Sequence, residues 1–382
     1  MDEPIKLKSE KESRKKINKI NSINKYNKYN IKDGKLRRSY QKYEIDCENK
    51  EIISSITFKP KGLNNLGLGG QNSLLQCLFY IKELRDYFIV ERSYFRNDQE
   101  ICKALSEVMY GLKYDPKDYF EPKLFNKQIK NINNLFPGLR TDDPKNLFIN
   151  LIESILTETI IENDNQSPIW DLEDLDVTNK MKVFNEKKRK IDMNNIINKL
   201  FIGFYETKYR CNKNHIIYYS FNSEIYITFN LEKIANYFQA NNITIQDCLK
   251  YNYDRSYIFP LYCSKCKMPH KNICNDIIFI PPKILVVMLD RGKGKLFKGN
   301  ISIEKNLDLE YFIDVEEYKK LSKYRLIGVI AHSESSSSNE NYTACCLTDN
   351  GKYYYFSDNY VHEISESKLF KNEPYLLFYK RI

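Results

Sequence analysis

Two absences bound this 382-residue chain first. Nowhere do about eighteen apolar residues run together, and the opening MDEPIKLKSEKESRKK carries charge with no apolar segment behind it. Neither a spanning helix nor a secretory signal is therefore expected. Ten cysteines are too few for a disulfide scaffold of this length, and two of them stand as CxxC. That usage favours metal or free thiols in a reducing compartment. A broad basic surface is missing as well. The net charge of +10 sits almost wholly in one place, since residues 1–43 carry 14 Lys/Arg and 5 Asp/Glu while the other 339 carry 46 and 45. No internal repeat is visible.

What is present is a globular body behind a basic arm. With 42% hydrophobic residues the body can bury one large core or two adjoining ones. The arm, residues 1–58, is rich in Asn, Lys and Ile and lacks a clean helical period. It reads either as a solvated tail or as an electrostatic anchor for RNA or an acidic partner. The body, residues 59–382, changes texture along its length. In residues 59–161 Leu74, Leu75, Leu78, Phe79, Ile81, Leu84 and Phe88 recur at three- and four-residue steps. That spacing predicts one helix over 72–88 with a single buried face, capped by Asn72 or Ser73. Further helices are predicted near 99–113 and 146–161. Residues 162–196 are low in apolar content and read as an inserted loop, whose KKRK run (187–190) is a nuclear-localisation signal or a solvated charge run. Residues 197–382 hold short β-branched and aromatic runs such as EIYITF, KILVVML and YRLIGVIAH. Helices followed by strands predict an α+β architecture.

One constellation has metal spacing. Cys211 and His215 stand in CNKNH, and Cys263 and Cys266 in CSKC some fifty residues later, each pair at the end of a predicted strand. Two such pairs supply the four soft ligands of a closed zinc site, or mark the remnant of one. His270 and Cys274 are alternative ligands.

The stretch GLNNLGLGGQNSLLQCLFY (62–80) has the form of a loop delivering a reactive residue to a helix start, yet its turn holds no nucleophile. It resembles the cysteine box of the ubiquitin-specific protease family, whose pattern runs GLxNLGNTCYMNSxLQxL. TDDPKNLFINLIESI is similar to that family's QQDAxEFLxxLL segment. LYCSKC followed by IPPKILVVMLDR, then YRLIGVIAHSESSSSNENYTA, YYYFSDNYV and YLLFYKR resemble its later elements, in order and spacing, from about residue 60 to 382.

The resemblance implies a papain-like fold with a helical thumb, a β palm and zinc-bearing β fingers. It implies a thiolate nucleophile, a histidine that activates it and an Asp or Asn that orients the histidine, all acting on a bond after the ubiquitin C-terminus. Carried over by position, the nucleophile falls on Gly70 or, allowing for one deleted residue, on Gly69. The base falls on Asn341 and the orienting residue on Ser357, whereas Asn65, the oxyanion position, and Asp358 are retained. Cys77, Cys345, Cys346 and His332 read as structural rather than substitute groups. Glu340 either holds or obstructs the tail of ubiquitin. The expectation is a non-catalytic scaffold or binding subunit. Its partners would be ubiquitin or a spliceosomal assembly, with RNA contact through the arm, no membrane, and a nuclear in preference to a cytoplasmic location. GLNN and the DP of TDDP lean toward the family's inactive splicing branch, and the alternative is an active thiol hydrolase.

Overall fold

Apolar spacing after Gly70 becomes two helices, not one. In the computed structural model, which describes residues 59–65, 70–135, 143–159, 178–254, 257–292, 297–333, 341–370 and 372–382, β1 (Gly62–Leu63) leads into α1 (Gln71–Phe79) and α2 (Lys82–Glu91). Ile81, between them, is extended (φ −80°, ψ 93°) and fully buried. All nine residues of α1 are buried, so a straight continuation would carry Lys82 and Glu83 into the core; the break turns both to solvent. The single helix expected over 72–88 is corrected accordingly, as is its single buried face. The helical lobe is completed by α3 (Glu100–Tyr114), β2 (Tyr119–Phe120), α4 (Lys123–Leu135) and α5 (Pro144–Thr159). In α3 Ile101, Leu105, Val108, Met109 and Leu112 share the buried side, as their spacing requires.

The loop expected over 162–196 is corrected in its second half. There α6 (Lys180–Arg189) begins at Asn179, whose side chain accepts from the Lys182 N–H at 3.2 Å. Phe184, its one buried residue, packs among Phe204, Phe221 and Phe279. Burying one Phe contributes about 2–3 kcal/mol, enough to dock a helix whose composition looks like a loop. The KKRK run closes this helix, where cations complement its dipole. The remainder of that segment, residues 162–177, lies outside the described residues. A short α7 (Ile196–Phe201) follows.

From there the chain is mostly strand. Fingers are formed by β3 (Gly203–Arg210) and β4 (Ile216–Glu224). After β5 (Ile227–Asn230) come α8 (Leu231–Phe238), β6 (Asn242–Thr244) and α9 (Ile245–Asp254), two helices the β-rich texture did not announce. Then β7 (Tyr257–Cys263) and β8 (Met268–Ile280) complete a four-stranded sheet of order β4-β3-β8-β7. The palm adds β9 (Ile284–Asp290), β11 (Asn306–Asp308), β12 (Lys323–Ser333), β13 (Asn341–Leu347), β14 (Tyr353–Ser357), β15 (Tyr360–Ile364) and β16 (Glu373–Arg381), while β10 (Asn300–Ser302) pairs with β6 in a separate two-stranded sheet and α10 (Glu316–Lys319) precedes β12. Its order is β15-β14-β13-β12-β16-β9-β5, with β11 against β12.

Period-two alternation places the core on both faces of this palm sheet. Ile284, Val286 and Met288 of β9 face α1 and the helical lobe, whereas Leu285, Val287 and Leu289 face α8 and α9. Likewise Cys346 joins the first core and Cys345 the second. The chain as a whole divides into Met1–Ile56 and Thr57–Ile382, and the basic arm lies outside the described residues. No helix among the described residues is long and apolar enough to cross a membrane.

Candidate functional site

Three short segments meet where α1 begins. Gly62 lies so close to the turn after β14 that a Cβ there would stand 2.5 Å from Asn359 Cα, so only glycine fits the approach. The Leu63 N–H donates to the Asp358 carbonyl at 2.9 Å, and the Asn64 N–H to the Phe120 carbonyl at 2.9 Å. Asp358 itself adopts φ +51°, a left-handed conformation that Asp tolerates better than most residues. Its carboxylate accepts on both oxygens: Asn65 Nδ2 donates to Oδ2 at 2.9 Å and Asn72 Nδ2 to Oδ1 at 2.7 Å. Asn72 therefore does not cap α1. Gly70 occupies the N-cap (φ −87°, ψ −11°) without a side-chain bond, and Ser73 Oγ donates back to the Gly70 carbonyl at 2.8 Å.

The positions read from sequence thus fall into groups. Gly70, Asn65 and Asp358 come together, with Ser357 ending β14 beside Asp358. Asn341 opens β13 in register with Ser333, one step from the pair His332 and Tyr342. Gly69 and Glu340 lie outside the described residues. His332 stands edge-on to Tyr342, ring centroids 5.3 Å apart. Cys77 points away from the turn into the core, its Sγ 3.7 Å from that of Cys346. Burial pushes the Cys346 thiol well above its ordinary range and Cys345 up to about 12, so neither supplies a thiolate near neutrality.

Sequence reasoning missed a neighbouring group in TDDPKNL. Tyr375 of β16 donates its hydroxyl to Asp143, which also accepts from the Lys145 and Asn146 N–H groups at the start of α5. Lys145 Nζ donates to the Leu289 carbonyl at 2.6 Å and lies 3.6 Å from the Tyr375 ring centroid. Burial lowers its ammonium to about 8. Pro after Asp143 was the available signal, since Asp-Pro opens helices with a side-chain cap.

At the finger tips the metal set assembles as its spacing predicts. Cys211 follows β3 in a turn closed by Asn214 N–H to Cys211 carbonyl at 2.8 Å. Cys263 ends β7 in a matching turn closed by Lys267 N–H to Cys263 carbonyl at 2.8 Å. Asn214 (φ +64°) and Lys267 (φ +55°) take the left-handed position in each. The ligand atoms of Cys211, His215, Cys263 and Cys266 all lie within 4.8 Å of one another. Cys211 and Cys266 Sγ are 4.0 Å apart, and His215 Nδ1 is 3.3 Å from Cys266 Sγ and 3.9 Å from Cys263 Sγ. Metal–ligand bonds of about 2.0–2.3 Å in a tetrahedron require edges of just this size. A backbone N–H from Cys266 holds the Cys263 thiol down to about 6, while desolvation lifts Cys266 to about 11. The residues fit a metal ion. His270 and Cys274 fall within β8 and are not needed to complete the four.

Residues 61–379 match the ubiquitin carboxyl-terminal hydrolase family, and the chain belongs to it. Its fold is the papain-like protease fold of the ubiquitin-specific proteases. Among solved structures, it is similar to the Ubp8/Sgf11/Sus1/Sgf73 DUB module of SAGA bound to monoubiquitin, with a TM-score of 0.66 at 17% identity over 88% of this chain and 74% of that one. The same module bound to ubiquitin aldehyde gives 0.65 at 17% identity over 89% and 76%. A yeast SAGA DUB module with a substituted Sgf73 gives 0.63 at 18% over 89% and 76%. At these identities the likeness concerns the fold.

Proposed function

We propose that the chain is a non-catalytic member of its family, a pseudo-deubiquitinase that acts as a binding subunit of a protein assembly. One observation carries this reading: the helix start that would present a nucleophile is held by Gly70, a residue without a side chain. The orienting position supports it, because it is Ser357, at the end of β14, where an Asp or Asn would be needed to fix a histidine. Thiol hydrolysis needs a thiolate and a base within hydrogen-bond reach, and the corresponding positions are Gly70 and Asn341.

What the family fold retains is a cradle. The solved Ubp8 modules carry ubiquitin and partner subunits, and the same palm and fingers here suit ubiquitin or an assembly partner. GLNN, the DP of TDDP and the basic arm favour a splicing particle and a nuclear setting, with the arm contacting RNA phosphates. Cys211, His215, Cys263 and Cys266 would hold zinc as a closed four-ligand site, which has no open position and is therefore structural.

Calorimetric titration of the full chain with ubiquitin, beside a fluorogenic ubiquitin cleavage assay, tests the reading. Saturable binding without turnover is the expected result. Turnover would overturn it, and absence of both would move the search from ubiquitin to the assembly partner.

A further inference from the structure

At the base of the fingers, on the opposite side of the palm sheet from α1, lies a cavity of about 250 Å³. Its walls come from β3, β4, β5, β8 and α9, so it spans the junction of both sheets. Two carboxylates reach it: Asp276 from β8, and Glu224 at the end of β4 on the rim. Aromatic rings supply much of the rest, among them Tyr205, Tyr253 and Phe312, with the Asn252 amide beside them. Among the described residues no Lys, Arg or His lines it, and Arg210 acts on Tyr253 only at longer range.

Partners for these acids are sparse. Asp276 accepts from Thr207 Oγ1 at 2.6 Å, and among the described residues neither Asp276 nor Glu224 forms an ion pair. Lys187 of α6 acts on Glu224 only at longer range. Partial desolvation at the rim raises the Glu224 carboxyl above its ordinary value, as expected of an acid with no close cation. Elsewhere, comparable acids are matched: Glu206, on the other face of β3, has Lys180 and Lys208.

We infer that this cavity receives a cationic side chain, lysine or arginine, projected by a partner protein. The chemistry is complementary on both counts. A carboxylate balances the charge, and ring faces attract a cation while stacking on its alkyl stem or guanidinium plane. Volume decides the class of occupant, because drug-sized ligands need about 300–1,000 Å³, whereas one side chain fits here. The inference is independent of the ubiquitin reading, since it rests on neither Gly70 nor the Asp358 cluster.

The test is calorimetry of the full chain with a pentalysine and a pentaarginine peptide, with pentaglutamate and spermidine as comparators. Either basic peptide is expected to bind saturably, and pentaglutamate not to bind. Glu224→Gln is expected to weaken peptide binding about threefold and Tyr253→Leu about threefold. Glu363→Gln, on β15 at the far edge of the palm sheet, is expected to leave it unchanged. Glu224 is exposed at the rim, so its isosteric amide folds, and matching thermal midpoints verify that. Equal affinity of all three variants would overturn the inference, as would equal loss in Glu363→Gln. Spermidine binding as tightly as the peptides would also overturn it, in favour of a small polyamine.

Discussion

Asp358 is the residue on which the segments around the start of α1 converge. Its carboxylate accepts from two asparagine amides, one of them the buried Asn72, and its own carbonyl holds β1. Asp358→Ala removes the carboxylate acceptor from both amides, leaving Asn72 only its longer bonds to the Leu63 and Asn64 carbonyls, and places a Cβ-bearing apolar residue at φ +51°. We expect a loss of about 2–3 kcal/mol in urea unfolding, against about 1 kcal/mol for Asp358→Asn, which keeps an acceptor and tolerates that conformation. Asn65 and Asp358 were legible in the sequence from their motif neighbours. The use of Asn72 was not, because a helix-start asparagine ordinarily bonds its own backbone, whereas this one reaches a carboxylate 286 residues away. Lys145 gives a pH signature. Its folded ammonium titrates near 8, below its ordinary 10.5, so the unfolded chain binds more protons between those values and stability rises with pH across them. The penalty is fully present below pH 8. The stability of the native chain relative to Lys145→Met should therefore improve from pH 8 to pH 10, read as converging or crossing urea midpoints.

Among elements, the fingers show the sharpest contrast between local and distant information. Each metal half-site is a short turn whose ligands are three or four residues apart, so sequence spacing alone located all four donors. α6 escaped notice because its docking depends on one phenylalanine meeting three others from β3, β4 and β8. α9 carried a local signal that went unread: Thr244 and Asp247 cap each other's N–H groups, at 2.8 and 3.0 Å, in the T-x-x-D spacing of a capping box. Loading with zinc should give one ion per chain. Cys266→Ser or chelation should remove hydrogen-exchange protection from β3, β4, β7 and β8 while β9, β12 and β16 keep theirs, because the palm core does not include the finger tips. Equal loss in both sheets would show that the metal clamps the whole domain.

At the scale of the molecule, the two-faced palm was readable as unbroken apolar runs such as KILVVML, since a strand covered on both sides need not alternate. Which strands adjoin was not readable, because pairing is set by contacts distant in sequence. On the proposed reading, the same distance argues against easy gain of catalysis. On that reading, Gly70→Cys with Asn341→His would supply two residue types, yet the orienting position would remain Ser357. We expect no turnover of a fluorogenic ubiquitin substrate above that of the unmodified chain, and clear turnover would show that the surrounding frame is still competent.

The order of strands also bears on how the chain is made. β16, the last strand in sequence, lies inside the palm sheet between β12 and β9. A ribosome therefore delivers β9 and β12 well before the strand that joins them, and both keep an open edge rich in Ile, Val and Leu until then. Such an edge invites pairing with other chains. The nascent sheet keeps that edge open from β9 until β16, whose insertion closes it in a single step, a natural point for a chaperone to act.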